Sequence, residues 1–113
     1  AWVGSPNSAV GWLIHAAAMD TAAMGLDRSL SLPGLAVTVG QIVAALETVR
    51  QGASALVERK PDAVIAGIVG GWPASFTAAR AKALGFAPNE GLVELVRAFV
   101  ADDLEATRRD RGM

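Results

Sequence analysis

The sequence predicts a mainly helical chain carrying two or three short strands, and three observations support that prediction. Apolar residues recur at helical spacing in separate stretches, among them Val10-Leu13-Ile14-Ala17, Val39-Ile42-Val43-Leu46-Val49 and Leu92-Leu95-Val96-Phe99-Val100. Side-chain caps stand before such stretches and glycines after them. The candidate strands are too few and too short to form a stable sheet of their own.

Taken in order, Ala1-Trp2-Val3 reads as an apolar strand with no polar lead-in and no initiator Met, as in a piece cut from a longer chain. Ser5-Pro6 is a helix start: a hydroxyl acceptor at the N-cap, then a proline whose missing N–H costs nothing at the first helical position. Asp20 and Thr21 open a single turn that Gly25 closes. Ser29-Leu30-Ser31-Leu32 alternates polar and apolar like a half-buried strand and ends at Pro33-Gly34. Thr38 caps a second helix, and Gly52 follows it as a left-handed terminator. Ala55 to Glu58 is a short strand candidate leading into Arg59-Lys60-Pro61-Asp62. Asp62 caps an apolar helix with Val64, Ile65, Ile68 and Val69, which Gly70-Gly71 stops, and Trp72-Pro73 forces extended chain. Thr77 caps a short helix through Leu84, where Gly85-Phe86 fits a Schellman end. Asn89 caps the last helix, whose apolar stripe runs on to Leu104.

Composition narrows the function classes. At 113 residues the chain is one domain at most, or part of one. With 52% hydrophobic and 19% charged residues, it suits a folded state rather than disorder. A net charge of −1 with scattered signs gives no basic footprint for nucleic acid and no polybasic lipid anchor. The run Arg108-Arg109-Asp110-Arg111 reads as a solvated helix tail. The absence of cysteine removes disulfides, thiolate metal sites and cysteine nucleophiles, and it accords with a cytoplasmic location. No apolar run approaches the ~18 residues of a membrane span. Neither a nucleic-acid nor a membrane partner is therefore expected.

The order of elements and their punctuation are similar to the C-terminal third of extended short-chain dehydrogenases and nucleotide-sugar epimerases. The corresponding stretches are Leu30-Ser31-Leu32-Pro33-Gly34, Thr38-Val39-Gly40-Gln41-Ile42, Arg59-Lys60-Pro61-Asp62 and Ala81-Lys82-Ala83-Leu84-Gly85-Phe86-Ala87-Pro88. Within that family the chain most resembles the branch of D-erythronate dehydrogenases. The residues that carry this are Ser5-Pro6-x-Ser8-Ala9-Val10, Leu13-Ile14-His15-Ala16, Leu32-Pro33-Gly34-Leu35-x-Val37-Thr38-Val39-Gly40 and Ile68-Val69-x-x-Trp72-Pro73.

The resemblance implies an α/β parent of Rossmann type, in which residues 1–113 form the C-terminal, substrate-binding lobe. The parent would use NAD or NADP, held mostly by an N-terminal part that these residues do not include. The glycine-rich phosphate turn is missing, and a chain without Tyr cannot contain the family's Tyr-x-x-x-Lys proton-transfer pair. The chain alone is thus expected to be inactive. By family position, Ser5, Pro6 and Asn7 are expected to line the substrate pocket, where a helix N-terminus offers free N–H groups to a carboxylate or hydroxyl. Trp72 is either a pocket wall or core, and Arg80 either reaches an acid substrate or makes a surface ion pair. The expected partners are a small sugar acid and the missing N-terminal half, or else self-association through exposed apolar surface, with a homodimeric parent. Two departures stand out: in the family's Arg-Pro-Gly-Asp-like loop Lys60 occupies the intervening slot and the glycine is gone, and Asn7 stands where a basic residue is expected to meet the acid.

Other residues read as structural. His15, alone on an alanine-rich helix, is a packing residue. Gly67-Ile68-Val69-Gly70-Gly71 neither follows a clear strand nor ends in Lys-Ser/Thr, so it is a helix terminus rather than a phosphate loop. Asp102, Asp103 and Glu105 are solvated on a fraying helix. The rival accounts are a lobe of a nucleotide-sugar epimerase or dehydratase and a free-standing helical interaction module.

Overall fold

A computed structural model describes residues 1–113, and half of its helical segments begin where a side chain takes up the free amides of a first turn. Helix α1 (Pro6–Ala18) starts at Ser5, whose Oγ accepts the Ser8 N–H at 3.0 Å. A 3-10 turn at Thr21–Met24 starts at Asp20, whose Oδ1 accepts the Ala22 N–H at 2.9 Å, and Gly25 ends it at φ 65°. Helix α2 (Val39–Val49) has a complete capping box: Thr38 Oγ1 accepts the Gln41 N–H at 3.1 Å, and Gln41 Oε1 accepts the Thr38 N–H at 2.9 Å. Asp62 caps α3 (Ala63–Val69) through the Val64 and Ile65 amides. Helix α4 (Ala79–Ala83) closes in the expected Schellman motif. Gly85 sits at φ 87°, its N–H reaches the Lys82 carbonyl, and the Phe86 N–H reaches that of Ala81, both at 3.1 Å. Helices α5 (Leu92–Asp102) and α6 (Leu104–Asp110) complete the chain. None of these helices is long and apolar enough to cross a membrane.

The chain is mainly helical, as its sequence implies, with a single two-stranded sheet. Strand β1 (Trp2–Val3) pairs antiparallel with β2 (Leu35–Ala36), Trp2 opposite Ala36 and Val3 opposite Leu35. Gly34 must be glycine here, because a Cβ would lie 2.7 Å from the Val3 carbonyl oxygen. The core forms where α1 meets α4 and the turn after it. Trp12, Ala81 and Phe86 are buried together, with Met19, Leu30, Leu32 and Leu84 packed around them. The Trp12 Nε1–H donates to the Ala87 carbonyl at 2.7 Å, so burying the indole leaves no polar atom without a partner. On the other side, α2 packs against α5.

Several expectations are corrected. Ser29–Leu32 is not a strand; its alternation turns Leu30 and Leu32 onto the Trp12–Phe86 core, but the ladder forms at Leu35–Ala36 instead, where β1 is within reach. Ala55–Glu58 is not a strand either. Gly52, at φ 84°, folds the chain back into a 3-10 turn at Ala53–Leu56, held by the Glu47 carboxylate, which accepts the Gly52 and Ser54 N–H groups at 2.7 and 2.9 Å. Thr77 does not cap α4; Ala78 occupies that position without a side-chain bond. Gly91, not Asn89, precedes α5, and the final stripe is broken into two helices at Asp103.

The apolar stripe of α1 does not face the core. Trp12 is the buried residue of the helix, whereas Leu13 is 72% exposed and Val10 and Ile14 are also exposed. Helix α3 exposes Val64, Ile65, Ile68 and Val69 together. The Cα radius of gyration is 17.1 Å, against about 13 Å for a self-contained domain of about 100 residues.

Two measurements probe this arrangement. Phe86→Ala empties the centre of the core and lowers stability by about 3–5 kcal/mol, whereas Phe99→Ala, at a half-exposed position, costs much less. Equilibrium denaturation of both variants checks the ranking. The Gly52 N–H, then the Ser54 hydroxyl and Ser54 N–H, hold the Glu47 carboxyl below its ordinary 4.5. Because the folded-state value is the lower one, Glu47 stabilises the fold above the ordinary value and loses that contribution as pH falls through the depressed one. Glu47→Gln is therefore less stable than the parent near neutrality, and the two curves converge in acid.

Candidate functional site

Counting donors identifies what the start of α1 can offer a ligand. Pro6 has no N–H. The Ser8 N–H is taken by Ser5 Oγ and the Ala9 N–H by the Ser5 carbonyl, each at 3.0 Å. The Ser5 N–H is taken by Asn89 Oδ1 at 3.0 Å. Only the Asn7 N–H is left free, since a residue so near the start has no intrahelical acceptor. Ser5 is 1% exposed, and its hydroxyl also donates to Ser8 Oγ, so Ser5 shapes the turn from beneath while Pro6 and Asn7 lie on the surface. No acidic side chain occupies this first turn itself, although Asp102 and Asp103 border Pro6 and Asn7 and partly offset the positive end of the helix dipole.

Asn7 borders two cavities. One, of about 310 Å³, runs between α1 and the turn after α4 and is walled by Asn7, Ser8, Gly11, His15, Gly85 and Glu90 among others. The other, of about 170 Å³, has Asp102 and Asp103 on its rim beside Pro6 and Phe99. A carboxylate ligand would face Asp102 and Asp103 in the second and Glu90 alone in the first, so the first repels an acid less. Gly11 puts no side chain into it, and an added Cβ there would meet nothing within 4 Å. Glu90 and Gly85 were not singled out from the sequence. Glu90 carries no motif, and Gly85 announces a helix end rather than a wall.

His15 is held in place by packing, as its sequence setting implies. Its Nε2 lies 2.8 Å from the Leu84 carbonyl, which requires the proton on Nε2, and its ring meets Phe86 edge-on at 4.6 Å. Arg80 makes a surface ion pair. It reaches Asp27 Oδ2 at 3.3 Å and donates to the carbonyls of Met24 and Asp27 at 2.6 Å and of Ser29 at 3.1 Å. Trp72 is 65% exposed on the segment after α3; it belongs to no core and lines neither cavity at Asn7. The structure thus groups Ser5, Pro6 and Asn7 on one turn and leaves Trp72 and Arg80 outside it. Lys60 pairs with Glu58 at 3.1 Å, and Arg59 to Asp62 are all exposed. Gly67 to Gly71 form the end of exposed α3 with no strand before them, as a helix terminus does.

No family model matches the chain. It is 37% identical over 102 residues to a D-erythronate dehydrogenase from Cupriavidus necator, covering 89% of the chain and 32% of that protein. It is 30% identical over 106 residues to a D-erythronate dehydrogenase from Haemophilus influenzae, covering 91% of the chain and 33% of that protein. Among solved structures, a nucleoside-diphosphate-sugar epimerase from Agrobacterium tumefaciens superposes with a TM-score of 0.83 at 41% identity, over 92% of the chain and 31% of that structure. The chain therefore spans about a third of the length of the curated relatives it matches. Its likeness to sugar-related dehydrogenases and epimerases, expected from its motifs, holds in both sequence and structure.

Arg80 clips the Met24–Ser29 loop to α4 through carbonyl oxygens, a function that lysine's single ammonium does not reproduce. Arg80→Ala costs only about 1 kcal/mol, because the guanidinium is partly solvated, but it frees the loop. Limited trypsin digestion then cuts after Arg28 several-fold faster in the variant than in the parent.

Proposed function

We propose that the chain is the substrate-facing lobe of an NAD-dependent dehydrogenase that oxidises a short sugar acid of the D-erythronate kind. The observation that carries this reading is the match to two D-erythronate dehydrogenases over nine-tenths of the chain. The site chemistry agrees with it. A small acid bearing hydroxyls fits a cavity of about 310 Å³, and the Asn7 N–H and side-chain amide at a positive helix end give it donors. NAD, bound by the rest of the polypeptide, supplies the hydride acceptor. The residues here bind and orient the acid and exclude water from one side of it. Proton removal falls to the part of the enzyme outside residues 1–113.

A second reading, a lobe that grips a nucleoside diphosphate sugar, is favoured by the structural likeness to a nucleoside-diphosphate-sugar epimerase. Against it, the Arg59–Asp62 loop is solvated, and Lys60 is engaged by Glu58.

The test uses the full-length polypeptide that carries these residues. It reduces NAD in the presence of D-erythronate, and residues 1–113 alone do not. Asn7→Ala raises KM for the acid about tenfold with little change in kcat, as for the loss of one binding contact. Asn7→Arg lowers KM several-fold by adding a bidentate partner for the carboxylate. Turnover of a nucleoside diphosphate sugar with no activity towards sugar acids would make the second reading the correct one.

A further inference from the structure

The start of α1 is completed from the far end of the chain. In α2 the capping box closes locally, because Gln41 at the third helical position is long enough to return to the Thr38 N–H. In α1 the same position is Ser8, whose hydroxyl instead receives the Ser5 hydroxyl, so the Ser5 N–H has no local acceptor. Asn89 Oδ1, 84 residues downstream, fills that role at 3.0 Å. Asn89 is itself fixed twice: its backbone N–H donates to the Pro33 carbonyl at 2.9 Å, and its Nδ2–H to the Glu90 carbonyl at 2.8 Å. Gly4 lies beside this contact, where a Cβ would press on the Trp12 ring at 3.3 Å and meet Asn89 Oδ1 at 3.5 Å, an ordinary contact distance.

On the basis of the substrate reading above, we propose that Asn89 is a positioning residue for the Ser5–Asn7 turn, holding the Asn7 side-chain amide at the mouth of the cavity through its bond to Ser5. Asn89 does not line that cavity, although its neighbours Pro88 and Glu90 do, so it acts on the substrate through the turn and not by contact. The same residue ties together the β2 approach at Pro33, the cavity wall at Glu90 and the start of α1. With Asn89 removed, the first turn of α1 keeps its Ser5 hydroxyl cap but loses the restraint on the angle at which the chain runs into it.

Kinetics of the full-length enzyme with D-erythronate and NAD test this. Asn89→Ala raises KM for the acid about tenfold, with kcat and KM for NAD changed less than about twofold, and the Ser5 amide exchanges its hydrogen faster. In an Asn7→Ala background the same substitution adds less than about twofold, because the turn it positions has already lost its side-chain contact. Asn89→Asp keeps the Oδ1 acceptor; at high salt, where its charge is screened, it returns KM to within about threefold of the parent and protects the Ser5 amide. That variant decides the matter if the alanine form does not fold: an acid KM raised as far as in Asn7→Ala while Ser5 stays protected overturns the proposal. So does an unchanged KM in Asn89→Ala when Asn7→Ala raises it, or an equal effect in both backgrounds, and in those cases the substrate reading stands. An unchanged KM in Asn7→Ala removes the substrate reading of the turn, and the positioning role with it.

Discussion

The bond from the Trp12 indole to the Ala87 carbonyl, at 2.7 Å, is the tie on which the candidate site depends. It fixes α1 against the turn that follows α4, and the cavity beside Asn7 is the space those two elements leave between them. The turn can lie so close because Gly85 takes a left-handed conformation and carries no Cβ; an added one would press on the His15 ring at 3.2 Å. His15 then spans the gap to the Leu84 carbonyl and braces Phe86, which closes the core from below. Each of these residues has a packing role, and together they set the width of a polar cleft. The floor is stiff, and the ligand-facing turn is mounted on it.

The outward apolar faces have a different physical meaning. Val10, Leu13 and Ile14 on α1 and Val64, Ile65, Ile68 and Val69 on α3 are placed at helical spacing, which is the pattern of a face built to be buried. Exposed apolar surface of that extent is unfavourable in water and marks an interaction surface. The open dimensions of the chain agree, since a radius of gyration of 17.1 Å leaves much of it away from its own small core. The matched relatives are about three times as long, so an intramolecular surface is one way of covering these faces.

Local chemistry was legible in the sequence, and long-range chemistry was not. Ser5, Asp20, Thr38 and Asp62 cap what they were expected to cap, because a cap is decided within three residues. The Schellman end at Gly85-Phe86 was legible for the same reason. The strand at Ser29–Leu32 was misplaced because alternation reports which side chains are buried and is silent about where a partner strand lies. Asn89 was misread because its motif, a cap before an apolar run, is also satisfied by Gly91, and only the folded chain brings Ser5 to it. At the candidate site, the cap at Ser5 is local, while Gly85 and Glu90 become walls only through the docking of α1. Arg80 clips a distant loop through its carbonyls, a contact that no local pattern announces.

What the fold does to the start of α1 bears most directly on recognition. A helix N-terminus usually presents several free amides, and such a site accepts almost any anion. Here proline removes one donor, the Ser5 hydroxyl and carbonyl occupy two more, and Asn89 occupies the amide just before them. A single N–H remains, flanked by one side-chain amide. That arrangement is too poor in donors to hold a phosphate, whose several oxygens would go unsatisfied, and it can hold one edge of a carboxylate or a hydroxyl. With asparagine rather than a basic residue at position 7, the attraction is by hydrogen bond and helix dipole and not by full charge. Under the proposed reading, the turn therefore takes one edge of a small hydroxylated acid, and the acid's remaining oxygens fall to groups outside residues 1–113.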